Sequence, residues 1–341
     1  MLKIKEERNN PPSFLFMFKF GNIEVKGKVV LAPMAGYTFN SYREFMNKFG
    51  VSLCYTEMVS IMGLIYDNEE TLEYIRFPKS EVPTGVQLFG DDPEKFIEAI
   101  KICEKENPNI DFYDVNMGCP VNKVTKTGAG SALLKDPVKC GEIIRAIKSV
   151  TDKPVSAKIR LGWDNKSINF LKVIEELEKA GIDLIAIHAR TTKDLYIGTP
   201  KYELIKDLRE KMNVPLVVSG NIYTVDDAIN ALNITKADAV MVARGAVGNP
   251  RLITNINKII NNKEIKNPSL MEQIEYCKEL AMAICKEKGE IVGMRVFRSI
   301  GSKFFNGFPN CKMLKNRITT ETHTYSDLEI IIEEYLLEYI D

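Results

Sequence analysis

The chain has 341 residues, of which 45% are hydrophobic and 27% charged, an ordinary globular composition with ample length for a large core. Lysine plus arginine equals aspartate plus glutamate at 46 each, which excludes a uniformly basic nucleic-acid coat and makes any polyanion contact local. Seven cysteines without a C-x-x-C pair, and only two histidines, exclude zinc and iron–sulfur spacing, so no metal is expected.

The first apolar run, Phe14 to Phe18, is far shorter than the roughly 20 residues of a membrane span. With the turn-forming Gly21-Asn22 behind it, it reads as one strand of a hairpin that plugs a barrel floor; residues before Pro11 read as a loose tail. No membrane contact is expected. An odd cysteine count without a signal peptide points to reduced thiols and a cytoplasmic protein.

From residue 29 to about 260, β-branched runs alternate with amphipathic stretches. The expected strands are Val29–Ala32, Leu53–Thr56, Val82–Phe89, Phe112–Met117, Val155–Arg160, Leu184–Ala189, Leu216–Ser219 and Ala239–Ala243. Helices are expected over Pro93–Cys103, Pro137–Val150, Ile168–Ala180 and Val225–Leu232. Asp92-Pro93 and Asp136-Pro137 each place an N-cap before a proline at the first helical position. Eight such alternations predict an α/β fold, a (β/α)8 TIM barrel. An open doubly wound sheet is the weaker alternative, because no G-x-G-x-x-G turn follows the first strand. After residue 268 only helical patterning continues. The expected organisation is a tail and hairpin start over 1–21, a barrel over 22–264 and a small C-terminal all-helical domain over 265–341.

Barrel enzymes carry their chemistry at the C-terminal ends of the strands, and those ends are polar here: Gln87, Asn116, Lys158, His188, Ser219-Gly220-Asn221 and Ala243-Arg244. Alternation puts Ser156, Lys158 and Arg160 on one face of their strand and Val155, Ala157 and Ile159 on the other. A lysine inside a barrel requires an anion, unless it snorkels from the strand end. The glycine turns after the seventh and eighth strands occupy the usual phosphate position of such barrels. Cys119 lies in a loop just past a strand end, whereas the other six cysteines read as packing. His188 reads either as a core residue or as a ligand-facing one beside Lys158 and Arg190.

Leu31-Ala-Pro-Met-Ala-Gly36, Tyr55-Thr-Glu-Met58, Gln87-Leu-Phe-Gly90, Asp114-Val-Asn-Met-Gly-Cys-Pro120, Gly128-Ala-Gly-Ser-Ala-Leu-Leu134, Lys158-Ile-Arg160 and Ile187-His-Ala-Arg-Thr191 together resemble the tRNA-dihydrouridine synthases. The likeness runs from about residue 22 to about residue 320, and Met294-Arg295, Phe304 and Gly307-Phe-Pro309 resemble that family's helical domain. The resemblance implies an FMN barrel, reduced by NADPH or NADH, that reduces the C5=C6 bond of a uridine in tRNA. It implies flavin contacts from Pro33, Met34, Ala35, Gln87, Lys158 and His188. The phosphate would be held by Ser219, Gly220, Asn221, Ala243 and Arg244. Cys119 would be the proton donor, and Asn116, Arg160 and Arg190 would address the substrate. The family often has asparagine where Ser219 stands and glycine where Ala243 stands.

The stretch Ile291–Thr320 has no acidic residue but contains Arg295, Arg298, Lys303, Lys312, Lys315 and Arg317, which reads as a tRNA-docking face. The phenylalanines among them, Phe304, Phe305 and Phe308, read as core. A flavin barrel acting on a free pyrimidine, of the dihydroorotate dehydrogenase kind, is the rival enzyme. A barrel that kept RNA binding and lost its chemistry is the rival outside enzymology.

Overall fold

The computed structural model describes residues 17–340; Phe14 to Phe16 and the N-terminal tail fall outside it. The ten strands are β1 (Met17–Phe20), β2 (Ile23–Lys26), β3 (Val29–Leu31), β4 (Cys54–Ser60), β5 (Thr84–Phe89), β6 (Phe112–Met117), β7 (Val155–Arg160), β8 (Leu184–His188), β9 (Leu216–Ser219) and β10 (Ala239–Val242). The last eight pair in parallel, in the order β3-β10-β9-β8-β7-β6-β5-β4. A parallel bridge between Val30 and Leu53 joins the two ends of that order, with Leu31 N–H donating to Leu53 O at 3.0 Å. The ring is therefore closed, and the fold is the expected (β/α)8 barrel.

β4 runs on to Ser60, beyond the expected end at Thr56, with a register irregularity between Tyr55 and Met58. Glu57 interrupts the apolar pattern at that irregularity, which is why the run looks shorter in the sequence.

The outer helices include α1 (Asn40–Asn47), α2 (Ile61–Ile65), α3 (Glu69–Glu73), α4 (Pro93–Glu106), α5 (Asn122–Thr125), α6 (Pro137–Lys148), α7 (Phe170–Lys179), α8 (Val225–Thr235) and α9 (Arg251–Ile260). Asp92 and Asp136 cap α4 and α6: their carboxylates accept from the Glu94 and Lys139 amides at 3.0 and 3.1 Å. α6 packs against both α4 and α7, so the helices form a layer around the strands.

Inside the ring, alternation sorts the side chains by height. Phe112, Leu184, Ala186, Val217, Ala239 and Met241 point inward at the lower end and form one apolar cluster with Val30, Leu53 and Tyr55. The β1–β2 hairpin inserts Phe20 into that cluster, its ring centroid 4.9 Å from that of Phe112 at a near-perpendicular angle. Gly21 makes the turn at φ +56°, where a Cβ would come within 2.7 Å of Pro154 Cγ. The floor is thus a packed plug, and the polar residues are confined to the opposite end.

Beyond α9 the described chain is helical: α10 (Leu270–Lys288), α11 (Glu290–Gly301), α12 (Lys312–Thr320) and α13 (Tyr325–Ile340). A capping box between Ser269 and Glu272 starts α10. α10 packs on α1 of the barrel; its Tyr276 meets Phe49, just past α1, at 5.0 Å, and Phe304, beyond α11, meets Phe45 of α1 at 6.3 Å. Phe304 and Phe305 are fully buried and Phe308 half-buried, so all three contribute to the core.

Phe20→Ala should remove about 3–5 kcal/mol of stability, as expected for a large aromatic deleted from a closed core. Urea unfolding would measure it; a loss under about 1 kcal/mol would mean the plug is dispensable.

Candidate active site

The upper interior of the barrel is built from three neighbouring levels of side chains. At the deepest, Asp114 on β6 stands in register with Gln87 on β5 and Ser156 on β7. It accepts from Gln87 Nε2 at 2.6 Å and from Ser156 Oγ at 2.5 Å. Burial pushes its carboxyl up to about 6, although Ser156, Gln87 and Lys158 each favour the charged form. One level higher, Asn116 pairs with Lys158. Burial and the neighbouring Arg160 bring the Lys158 ammonium down to about 8, while Asp114 and Cys119 act in the opposite sense. At the rim, His188 lies between Arg160 and Ser219 in register.

Cys119 is seated in the loop that leaves β6. Its N–H donates to Asn116 Oδ1 at 2.8 Å, and its carbonyl accepts from Ser131 N and Ser131 Oγ at 3.0 and 2.8 Å. Gly130, at φ +62°, allows this closure, since a Cβ there would lie 2.9 Å from Cys119 O. The residue is 8% exposed and packs with Val124, Ala129, Met58 and Phe89. Burial raises its thiol above the ordinary cysteine value; the Val121 amide, Arg160 and Lys158 only partly oppose this. Cys119 is therefore a protonated thiol at neutral pH.

His188 has its tautomer fixed. Its Nε2 is 3.0 Å from Arg190 Nη1, and a guanidinium can only donate, so Nε2 accepts and Nδ1 carries the proton. Burial, followed by Lys158, Arg160, Arg190 and Arg244, holds its pKa well below the ordinary histidine range.

Arg160 and Arg190, expected to address the substrate, are bound to the loops of the mouth. Each is 1% exposed. Arg160 donates to the carbonyls of Gly118, Thr191 and Leu195 at 2.7–2.8 Å. Arg190 donates to Ile197 O, Gly198 O and Asn221 Oδ1. Their cationic heads tie loops together, because carbonyls at loop bends need donors that the strands no longer provide.

Ser219, Gly220 and Asn221 follow β9, and Ala243 and Arg244 follow β10. Ser219 Oγ is buried and has no hydrogen-bond partner among the described residues. A buried orphan hydroxyl at this place suits an anionic ligand's oxygen. Gly220 and Asn221 take positive φ, +136° and +47°. Ala243 has φ −115° and ψ −110°. Gly245 is required by closeness, since a Cβ would meet Ile222 O at 2.1 Å. Arg244 stacks between Tyr196 and Tyr223, at 5.4 and 5.8 Å from their ring centroids.

Pro33 and Met34 are half-buried and Ala35 exposed in the loop after β3. That loop is pinned by Thr38 Oγ1 on Met34 and by the buried Glu57 carboxylate, which accepts from Gly36 N–H. Arg295 and Arg298 lie on α11 rather than at a strand end. Arg295 is exposed, whereas Arg298 is bound to Thr322 O at 2.6 Å and to His323 Nδ1 at 2.7 Å. Arg317 of the same basic stretch is neutralised by Glu321 and Glu334, which lie outside it in sequence.

Sequence reading passed over Asp114, Glu57 and Tyr196. For Asp114 the signal was present, because it stands two residues before Asn116 and so on the same strand face.

A closed parallel barrel with a cysteine, a histidine and a lysine gathered at the C-terminal ends of its strands has the layout of a (β/α)8 enzyme. The family model for dihydrouridine synthase (Dus) matches residues 30–338, and the chain belongs to that family. It is 32% identical to the probable tRNA-dihydrouridine synthase of Rickettsia bellii over 94% of this chain and 98% of that one. It is 34% identical to tRNA-dihydrouridine synthase B of Pasteurella multocida over 80% and 82% respectively. Among solved structures, morphinone reductase in complex with tetrahydroNAD shares the barrel at a TM-score of 0.50 and 13% identity, covering 77% of this chain and 94% of the other. The 6-hydroxypseudooxynicotine amine oxidase of Pseudomonas geniculata N1 does so at 0.54 and 11%, covering 74% and 52%.

Nitrogen-15 shifts of His188 should show a neutral ring protonated at Nδ1. In Arg190→Met, the signature of a single tautomer should give way to a mixture. An Nε2–H ring in the unmodified protein would contradict the assignment.

Proposed function

We propose that this protein is a tRNA-dihydrouridine synthase: it reduces the C5=C6 bond of a uridine within tRNA, using FMN that is reduced in turn by NADPH or NADH. The observation that carries the reading is the Cys119 loop. It holds a protonated thiol at the barrel mouth, within electrostatic reach of Lys158 and Arg160.

The residues suit the cofactor. The orphan Ser219 hydroxyl, Gly220, Asn221, Ala243 and Arg244 would hold the phosphate, and the half-buried Lys158 offers a cation to an anionic ring edge. Pro33, Met34, Ala35, Gln87 and His188 would line the ring site, with His188 neutral and its Nδ1–H available. Held there, a flavin would supply hydride chemistry for C6 of the pyrimidine. Cys119 Sγ–H then delivers the proton at C5, and its raised thiol pKa keeps that proton in place at neutral pH. Asn116 would address the uracil edge by exchanging the weak contact of its Nδ2–H with Met58 Sδ, at 3.0 Å, for a uracil oxygen. Arg160 and Arg190 act by holding the loops rather than by touching the base.

A base inside a folded tRNA reaches such a mouth only when it is flipped out. We assign residues 22–264 to the barrel that receives it and 265–341 to a helical unit that docks the tRNA body. Arg295 is exposed for a phosphate there. The seven free thiols support action in the reducing cytoplasm.

Nucleoside mass spectrometry after incubation with unmodified tRNA and NADPH should reveal a uridine heavier by two hydrogens. Cys119→Ala should lose it by at least about 100-fold, as for a removed general acid. Reduction of free uridine or orotate with no product in tRNA would establish the free-pyrimidine rival instead.

The charge on Lys158 is present below its pKa and lost as pH rises through it. Activity should therefore fall at or above pH 8, where a bound anion raises the midpoint. In Lys158→Arg the limb should move upward. A profile flat from about pH 7 to about pH 10 would exclude lysine control.

A further inference from the structure

We infer that Asp114 is a positioning residue: it dictates which way the amides of Gln87 and Asn116 point, and through them it seats the backbone of Cys119. The relevance of this to proton delivery rests on the proposed reaction, but the geometry does not.

An ionised carboxylate has acceptors and no donor. Asp114 is fully buried on β6, and both of its oxygens are engaged, by Ser156 Oγ on Oδ1 and by Gln87 Nε2 on Oδ2. That forces the NH2 end of Gln87 inward and its oxygen toward the mouth. Gln87 Oε1 accepts from Asn116 Nδ2 at 2.8 Å. Asn116 must in turn direct Oδ1 at the loop, where it accepts from Gly118 N at 3.1 Å and Cys119 N at 2.8 Å. The two amides are held from both ends, by the acceptor-only carboxylate below and by the donor-only N–H groups of Gly118 and Cys119 above, and a single setting of both satisfies the chain. Reversal at Gln87 would set donor against donor at Asn116, and reversal there would turn an NH2 toward two backbone N–H groups. The carbonyl side of Cys119 is held independently by Ser131. Asp114 thus governs one of the two attachments of the thiol-bearing residue without touching the thiol. The same orientation turns the second Asn116 Nδ2 hydrogen onto Met58 Sδ at 3.0 Å.

The test is the alkylation rate of Cys119 by iodoacetamide in the full chain as purified, quantified on the Cys119 peptide and compared with the half-buried Cys285. Asp114→Ala should speed Cys119 about fivefold, the value of one lost hydrogen bond, and leave Cys285 unchanged. Asp114→Asn should stay near the unmodified rate, because its oxygen can still face Gln87 while its NH2 donates to Ser156 Oγ. Should Asp114→Ala fail to fold, Gln87→Met cuts the same chain one link nearer the loop and should give the same rise. An unchanged Cys119 rate in a folded Asp114→Ala or Gln87→Met protein overturns the inference, as does equal acceleration of Cys285. Thiol alkylation needs neither tRNA nor turnover. A protein with this pattern that makes no dihydrouridine would overturn the reaction and leave the positioning role standing.

Discussion

Closing eight parallel strands into a ring creates an interior that side chains alone must fill, and everything else about this molecule follows from how that space is divided. Only alternate residues of each strand point inward, so each contributes two or three. The lower share is apolar and sealed by Phe20, packed edge-on against Phe112, which itself meets Tyr55 at 5.2 Å. Water is excluded from below. The upper share is polar, and without solvent beneath it every polar group there must find a partner or a ligand.

The mouth meets that demand with charges of both signs. Lys158, Arg160, Arg190 and Arg244 gather around His188, and burial first, then these cations, hold the imidazole well below its ordinary pKa. Asp114 is the carboxylate beneath them. The two most buried arginines are balanced chiefly by carbonyl oxygens of the loops they tie, a neutral solution to placing guanidinium groups inside protein. One consequence is that the surplus of positive charge at the mouth is left for an anionic ligand to complete.

The strand order and the barrel were legible because β-branched runs and proline-capped helices alternate so regularly. The end of β4 was not, since the register irregularity places Glu57 where an apolar residue would have continued the pattern. The gathering of Lys158 and His188 at strand ends and of Cys119 in the loop after β6 was legible from their places in the alternating pattern. The contacts of Arg160 and Arg190 were hidden for a physical reason: sequence shows a cation at a strand end but not which carbonyls bend toward it. Arg298 and Arg317 looked free within a stretch devoid of acids, yet their partners come from residues 321–334, brought back by the helical fold.

The hairpin under the barrel also bears on the order in which the chain can mature. β1 leaves the ribosome before any other described strand, but the surface that receives Phe20, begun by Val30 and Tyr55 of β3 and β4, is completed only by β10, which ends at Val242. For most of its synthesis this protein carries an aromatic side chain whose socket is incomplete. Burial of the earliest segment is consequently among the last events of folding, and a chain halted before β10 would expose both the plug and the socket to chaperones and proteases.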